Sequence, residues 1–367
     1  MDFIPISMPS ITQKEIDYVT DAVKSGWVSS IGPYVEKFEE EFAGFCGTRY
    51  AVATSNGTTA LHLALVSLGI KEGSEVVVPD LTFIATANAV SYTGAEVVCV
   101  DIEEDILCLD PAKFEKAITS KTKAVVPVHL YGHPANMYEI NRIAKKYDLK
   151  VVEDAAEAHG AEIEGQKVGS FGDCAIFSFY GNKIITSGEG GMITTDDEKL
   201  YNEIKYLRDH AMSNKKRYWH GKIGFNYRIT NLQAALGLSQ LERIDELIEK
   251  KKNIYKWYSN ELKGIKNFKI NCQREKYKNV FWMICVEILG CDEERRSIII
   301  EGLRKYNIDT RPFFYPVSDM DMYSSSLTNV AHRVSKRGLN LPSYFSITEE
   351  QVKYVCRMLK KVVGEVF

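Results

Sequence analysis

The sequence predicts an α/β protein of two unequal domains. A large domain over residues 1–245 is built on a mostly parallel, mixed sheet, and a smaller α+β domain covers 246–367. Three observations predict this. The chain has 367 residues, 45% of them apolar and 11% aromatic, more than one small core requires. Up to about residue 170, short β-rich runs alternate with helical ones, the pattern of parallel strands covered on both faces. Beyond 170 the pattern changes to paired strands and longer helices.

Taken in order, Thr12 with Glu15 three residues later has the capping-box pattern and opens a helix to about Lys24. A second amphipathic helix covers 33–45. A strand at 50–53 leads through a turn at Asn56-Gly57 into a helical run marked by Leu61, Leu65 and Leu68. Strands at 75–78 and 96–100 flank a helix at 83–92, and strands at 123–130 and 150–153 flank a helix at 137–146. Residues 173–179 and 191–195 read as paired strands around a Gly-rich bend. Helices are expected over 197–210 and, as one long amphipathic run, over 231–262, with the domain boundary inside it near 245. A strand at 280–288, a helix at 293–305 and a closing helix at 349–363 complete the chain. Residues 310–340 carry little regular pattern and are expected to form loops.

The formal net charge is −3, so the whole protein has no attraction for phosphate backbones, and nucleic acid is not an expected partner. No run of about 18 apolar residues occurs, so no membrane span is expected. The N-terminus lacks a basic region and a long apolar region, which predicts a cytoplasmic rather than a secreted protein. The eight cysteines include no C-x-x-C pair and no accompanying His cluster. Most lie in apolar runs such as 97–100 and 283–286, which predicts small packed thiols in a reducing compartment and no metal site.

Four segments offer what a phosphate-bearing aromatic cofactor needs. The first is Thr54-Ser55-Asn56-Gly57-Thr58-Thr59-Ala60. Gly57 allows close backbone approach, and the amides of the helix that follows favour an anion. The same residues would also serve as an ordinary N-cap. The second is Val151-Val152-Glu153-Asp154-Ala155-Ala156-Glu157-Ala158-His159-Gly160. Asp154 follows an apolar strand, at the end where ligands bind in open α/β sheets, and a carboxylate there would hold a pyridinium nitrogen protonated. It would equally cap the next element. The third runs from Ser178-Phe179-Tyr180-Gly181-Asn182-Lys183 to Gly188-Glu189-Gly190-Gly191. Lysines are usually solvated, but Lys183 sits between aromatics and glycines. Burial and a cationic neighbourhood would lower its pKa and favour Schiff-base chemistry, and the Ser178 hydroxyl would suit a phosphate. The fourth is Gly224-Phe225-Asn226-Tyr227-Arg228-Ile229-Thr230-Asn231, just before a long helix that Thr230 or Asn231 would cap.

In this order, the four segments resemble the DegT/DnrJ/EryC1/StrS family of sugar aminotransferases. The resemblance runs from Gly26-Trp27-Val28-Ser29 to Asn340-Leu341-Pro342-Ser343. It implies fold type I of the pyridoxal-5′-phosphate enzymes, with pyridoxamine phosphate as the alternate cofactor form. It gives Lys183 the Schiff base and the later proton transfer, and Asp154 the pyridine nitrogen. It puts Glu157 near the cofactor's phenolic oxygen, Phe83 on the ring, and Gly57, Thr58 and Ser178 on the phosphate. Asn226 would reach that phosphate from the neighbouring subunit, which implies a homodimer with shared sites. Where the family pattern carries Phe before Gly-Asn-Lys, this chain has Tyr180.

Three further stretches, 26–33, 216–220 and 311–316, resemble members that use L-glutamate to aminate C4 of GDP-4-keto-6-deoxy-D-mannose. UDP- and dTDP-linked sugars are the alternatives. Ser29, Lys216, Arg217, His220, Arg311 and Tyr315 are the candidate contacts to this nucleotide-linked 4-keto sugar. A branch of the family that dehydrates at C3 has His in place of the lysine, which Lys183 argues against. A non-catalytic cofactor-binding regulator is the alternative from another class; no helix-turn-helix or basic tail accompanies it here.

Overall fold

The computed structural model describes residues 2–323 and 328–367. The chain opens with α1 (Gln13–Lys24) and α2 (Pro33–Cys46), then enters β1 (Tyr50–Thr54), α3 (Gly57–Ser67), β2 (Glu75–Pro79) and α4 (Ala85–Tyr92). It continues through β3 (Glu96–Val100), α5 (Pro111–Ala117), β4 (Thr122–Val125), α6 (Met137–Lys146) and β5 (Lys150–Asp154). The short strands β6 (Glu162–Ile163) and β7 (Gln166–Lys167) precede β8 (Cys174–Ser178), β9 (Gly191–Thr195), α7 (Glu198–Arg208), α8 (Asn231–Leu241) and α9 (Ile244–Leu262). Then follow β10 (Phe268–Ile270), β11 (Tyr277–Lys278), β12 (Ile284–Ile288), α10 (Glu293–Lys305), β13 (Arg311–Pro312), α11 (Asn329–Arg337), β14 (Gly338–Leu341) and α12 (Glu349–Val366).

The main sheet has the order β1-β9-β8-β5-β4-β2-β3. It is parallel except for β9, which runs antiparallel to both neighbours. β2, β3 and β5 are rich in valine, as parallel strands covered on both faces are. Successive residues enter opposite layers: Val77, Val125 and Val151 join Phe38, Phe42 and Phe177 in one core. Val76, Val78, Val126 and Val152 join Leu61, Leu65 and Ile193 in the other. The hairpin pairing of β8 with β9 agrees with the reading of 173–195.

A second sheet, β10-β12-β14-β13, is antiparallel throughout and packs with α9, α10 and α12 around its own core. Ile4 joins that core and bridges Ile308, so the first residues of the chain strap onto its far end. A third, small sheet takes β11-β6-β7.

Several elements differ from expectation, each for a physical reason. The run 231–262 is two helices. Arg243 leaves helical geometry at φ −118°, and its guanidinium reaches Glu15 at 2.6 Å. α8 packs on α1 and α2, whereas α9 packs on α12, so one straight helix would not serve both. The strand expected at 123–130 stops at Val125, and Tyr131 lies in a short turn at φ +55°. The strand expected from 280 begins at Ile284, because Phe281 turns left-handed at φ +50°. Residues 310–340 contain α11, β13 and β14 rather than loops alone. The first amides of α11, Val330 and Ala331, donate to Asp101 at 3.1 and 2.9 Å, a cap more than 200 residues away in sequence. α5, unforeseen, is capped by Asp110, which accepts from Ala112 N–H at 2.9 Å, with Pro111 in its first turn.

Among the described residues no cysteine forms a disulfide. Among the described residues no helix is long and apolar enough to cross a membrane.

Candidate active site

A cavity of about 520 Å³ opens at the carboxyl ends of β1, β5 and β8. One rim is the start of α3. Asn56 accepts the Thr59 N–H at 2.9 Å, which caps the helix and leaves Gly57 and Thr58 lining the cavity. A Cβ on Gly57 would lie 2.9 Å from Cβ of Ser178, so only glycine lets the helix start approach the end of β8 this closely. The Ser178 side chain lines the cavity beside it. A helix start with free amides, one glycine and flanking hydroxyls is a natural anion cradle.

Asp154 ends β5 and is buried. Its carboxylate accepts from Thr86 Oγ1 at 2.8 Å and from Ala156 N–H at 3.2 Å. Burial pushes this carboxyl above the usual range, and those two hydrogen bonds oppose the shift. The preceding residue, Glu153, points to the opposite face, as strand geometry requires. There it accepts from the amides of Gly169 at 3.0 Å, Phe171 at 2.7 Å and Gly172 at 2.9 Å. His129 Nδ1 accepts from Ala135 N–H at 3.0 Å, so its Nε2 carries the hydrogen donated to Glu153 at 3.1 Å. This buried network fixes the strand end from which Asp154 projects.

Lys183 lies in the bend between β8 and β9. Its N–H donates to Tyr180 O at 2.9 Å, and its side chain is only 12% exposed. The Nζ lies 3.5 Å from Glu157 Oε1 and 4.0 Å from the Trp282 ring centre. The other carboxylate oxygen of Glu157 accepts the Tyr131 N–H at 2.8 Å. Burial raises the Glu157 carboxyl, and the charge of Lys183 opposes this. The sequence reading gave this amine cationic neighbours; the structure gives it a carboxylate and an indole.

The far wall is aromatic. Phe83, 55% exposed, lies 5.8 Å from Phe314. Phe314 stacks on Tyr131 at 5.4 Å, and Tyr131 runs near-parallel to Trp282 at 6.3 Å. Trp282 Nε1 donates to Asn182 O at 2.7 Å, tying the wall to the lysine bend.

Of the residues singled out in the sequence, Lys183, Asp154, Gly57, Thr58, Phe83, Glu157 and Ser178 all line this one cavity. Asn226 does not: it is exposed and accepts from Arg228 Nε at 3.1 Å. Ser29, Lys216, Arg217, His220, Arg311 and Tyr315 also lie outside the cavity lining. Lys216 and Arg217 cover the rings of Trp219 and Tyr218, Arg311 pairs with Asp309, and the Tyr315 hydroxyl accepts from Arg296 at 3.1 Å. The sequence reading missed Thr86, Tyr131, Trp282 and Phe314. For Thr86 a signal existed: it follows Thr82 by four, one helical turn, in the segment already chosen for Phe83. The other three come from irregular backbone and carry no local signal.

The sequence profile of the DegT/DnrJ/EryC1/StrS aminotransferase family matches residues 9–360. A GDP-perosamine synthase from Escherichia coli O157:H7 is 44% identical over 367 residues, covering all of both chains. A GDP-perosamine synthase from Caulobacter vibrioides is 44% identical, with 98% of each chain covered. The solved pyridoxal-phosphate form of Spr1654 from Streptococcus pneumoniae superposes with a TM-score of 0.95 at 29% identity, over 100% of both chains.

The residues present fit a pyridoxal phosphate. The Gly57–Ser178 cradle has the room that a Cβ would fill, a buried carboxylate stands at the strand end, and an amine lies on the same cavity. Asp154 would take the ring nitrogen, Lys183 the aldehyde carbon, and Gly57, Thr58 and Ser178 the phosphate.

Proposed function

This chain belongs to the DegT/DnrJ/EryC1/StrS aminotransferase family, and from that premise we propose that it moves the amino group of L-glutamate to C4 of a nucleotide-linked 4-keto-6-deoxy sugar. The substrate we favour is GDP-4-keto-6-deoxy-D-mannose, with GDP-perosamine as product. The observation that carries the reaction is the convergence of the Lys183 amine, the Asp154 carboxylate and the Gly57–Ser178 cradle on one cavity. Full-length likeness to proteins named GDP-perosamine synthase supports the choice of sugar and nucleotide.

Bound pyridoxal phosphate supplies the electron sink that lets an amino group leave one carbon and arrive at another. The protein supplies position and proton control. Asp154, held by Thr86 and the Ala156 amide, would share a proton with the ring nitrogen and keep it cationic. Lys183 would anchor the cofactor and, once displaced by the amino donor, take a proton from the substrate carbon and return it. Glu157, its second oxygen pinned by the Tyr131 amide, orients that amine and offsets its charge. Phe83 would stack on the ring.

We further propose a homodimer in which Asn226 completes the partner's phosphate site; its exposure outside its own cavity supports this. Ser29, Lys216, Arg217, His220, Arg311 and Tyr315 remain our candidates for the nucleotide sugar, since the exposed side chains of the 216–220 loop are available to one. The division into 1–245 and 246–367 and a cytoplasmic location belong to the same reading, the latter supported by cysteines that form no disulfide.

The experiment is a glutamate half-reaction followed by a substrate panel. Holoenzyme given glutamate alone is expected to release one 2-oxoglutarate per site while the cofactor absorbance changes. A regulator would release none. GDP-, UDP- and dTDP-linked 4-keto-6-deoxy sugars are then compared by kcat/KM, with the GDP sugar expected to lead by about tenfold or more. A lead for either other nucleotide would end the GDP assignment.

A further inference from the structure

The face that α9 turns inward is apolar at Ile244, Leu247, Ile248, Ile254 and Tyr258, and it includes one charged residue, Lys251. Lys251 is 1% exposed. Its amine donates to three oxygens, none of them a carboxylate: Trp282 O at 3.1 Å, Ser343 O at 2.5 Å and Ser343 Oγ at 3.2 Å. Three acceptors match the three N–H donors of an ammonium. Burial nevertheless lowers this amine to about 7. A lysine at a core position breaks the pattern of its own helix, and such breaks cluster where function requires them.

One of the groups Lys251 holds leads directly to the cavity. Trp282 belongs to the irregular stretch before β12. Its neighbour Phe281 sits at φ +50°, a left-handed conformation that bulky residues avoid. The surroundings over-determine that conformation. The Phe281 N–H donates to Asn279 Oδ1 at 2.7 Å, its ring stacks on Tyr255 at 3.9 Å, and the next carbonyl is the one Lys251 takes. The Trp282 side chain then crosses to the lysine bend, with Nε1 on Asn182 O at 2.7 Å and its ring 4.0 Å from Lys183 Nζ. A single residue therefore links the buried amine of α9 to the amine of the cavity.

We propose that Lys251 is a positioning residue for Lys183: by holding the Trp282 carbonyl it seats the indole against the Lys183 amine and so sets that amine's reactivity. An aromatic face holds an amine by contact with its ring, so a displaced indole changes how the Lys183 amine is held and how fast it reacts. The consequence for turnover rests on the reading of Lys183 as the cofactor-bonding lysine; the contact itself does not.

The test reads Lys183 directly. Cofactor-free protein is treated with an amine-acylating reagent, and the labelling rate of Lys183 is followed by peptide mass spectrometry. In the holoenzyme, the pH at which the bound cofactor's absorbance half-converts is measured alongside. Lys251→Met is expected to change the Lys183 labelling rate by roughly threefold or more, the scale of one cation–π contact, and to move the absorbance midpoint. Trp282→Phe should change both in the same direction, and the double variant should add nothing to the larger single effect. A lower melting temperature with labelling and midpoint unchanged would reduce Lys251 to a structural role and overturn the proposal, as would two fully additive effects. If Lys251→Met does not fold, Lys251→Gln, which keeps two donors, carries the same readouts. Unchanged Lys183 labelling in Trp282→Phe overturns the proposal whatever Lys251 variants do. Turnover by Lys183→Ala would refute the role of Lys183 but leave the labelling result standing, so the two failures are distinguishable.

Discussion

The two sides of the cavity are built on different plans. On the main-sheet side the groups are short and polar, and each sits at or just past the end of a strand: Gly57 and Thr58 after β1, Asp154 ending β5, Ser178 ending β8. On the opposite side they are aromatic: Trp282 and Phe314 line the cavity with Tyr131 stacked behind them, and all three come from backbone outside any regular strand. Tyr131 is left-handed at φ +55°, and Trp282 follows Phe281 at φ +50°. Strand ends thus place the polar groups, while irregular segments from both sheets shape the space around them. Substitutions on the polar side should therefore cost chemistry, and substitutions behind the aromatic side should cost tuning.

The largest effect is expected at Lys183. Lys183→Ala is expected to lower the rate of 2-oxoglutarate release from glutamate by roughly 10³-fold or more, with the circular dichroism spectrum unchanged. Next comes Asp154→Asn, which keeps the shape but not the charge. A loss of about 10²-fold in kcat is expected, and a kcat near wild type would show that the strand end is not electrostatically decisive. Gly57→Ala places a Cβ 2.9 Å from Ser178 Cβ. It should weaken cofactor affinity by about tenfold, or ~1.4 kcal/mol, in a fluorescence titration, while leaving Lys183 free to react.

The smallest effect on turnover is expected behind the aromatic side, where the readout is stability. Lys251 is lowered to about 7 in the fold from 10.5 in the free amine. Between those values the unfolded chain binds a proton that the folded chain does not, so this group adds stability as pH rises through the window, and the gain is absent below it. Lys251→Met should lack that gain, about 1.4 kcal/mol for each pH unit inside the window, when urea unfolding is compared at the two ends of the window. Equal slopes with pH in both proteins would mean that the buried amine is not perturbed.

The same comparison explains how much was legible in the sequence. β2, β3 and β5 read correctly because valine-rich runs bounded by turns have one local solution. That the polar groups would share one cavity was legible from the residues: Asp154 from its place at a strand end, Lys183 from its aromatic and glycine neighbours, and Gly57–Thr58 from the helix start. Phe83 and Glu157 became legible only through resemblance to a family. Trp282 was hidden because its position depends on Phe281 adopting a conformation that no propensity favours, supported by Asn279, Tyr255 and Lys251 from elsewhere. α11 was hidden because the carboxylate that caps it, Asp101, belongs to the main sheet. Thr86 was the avoidable miss: a hydroxyl one turn beyond Thr82, it donates to Asp154 at 2.8 Å.

The role of Lys183 is open to direct chemical proof: the holoenzyme is reduced with borohydride and digested, and the cofactor is located by mass spectrometry. A single modified peptide carrying reduced pyridoxal phosphate on Lys183 is expected, absent when glutamate is added first. A modification on any other lysine, or none at all, would remove Lys183 from the cofactor-bonding role.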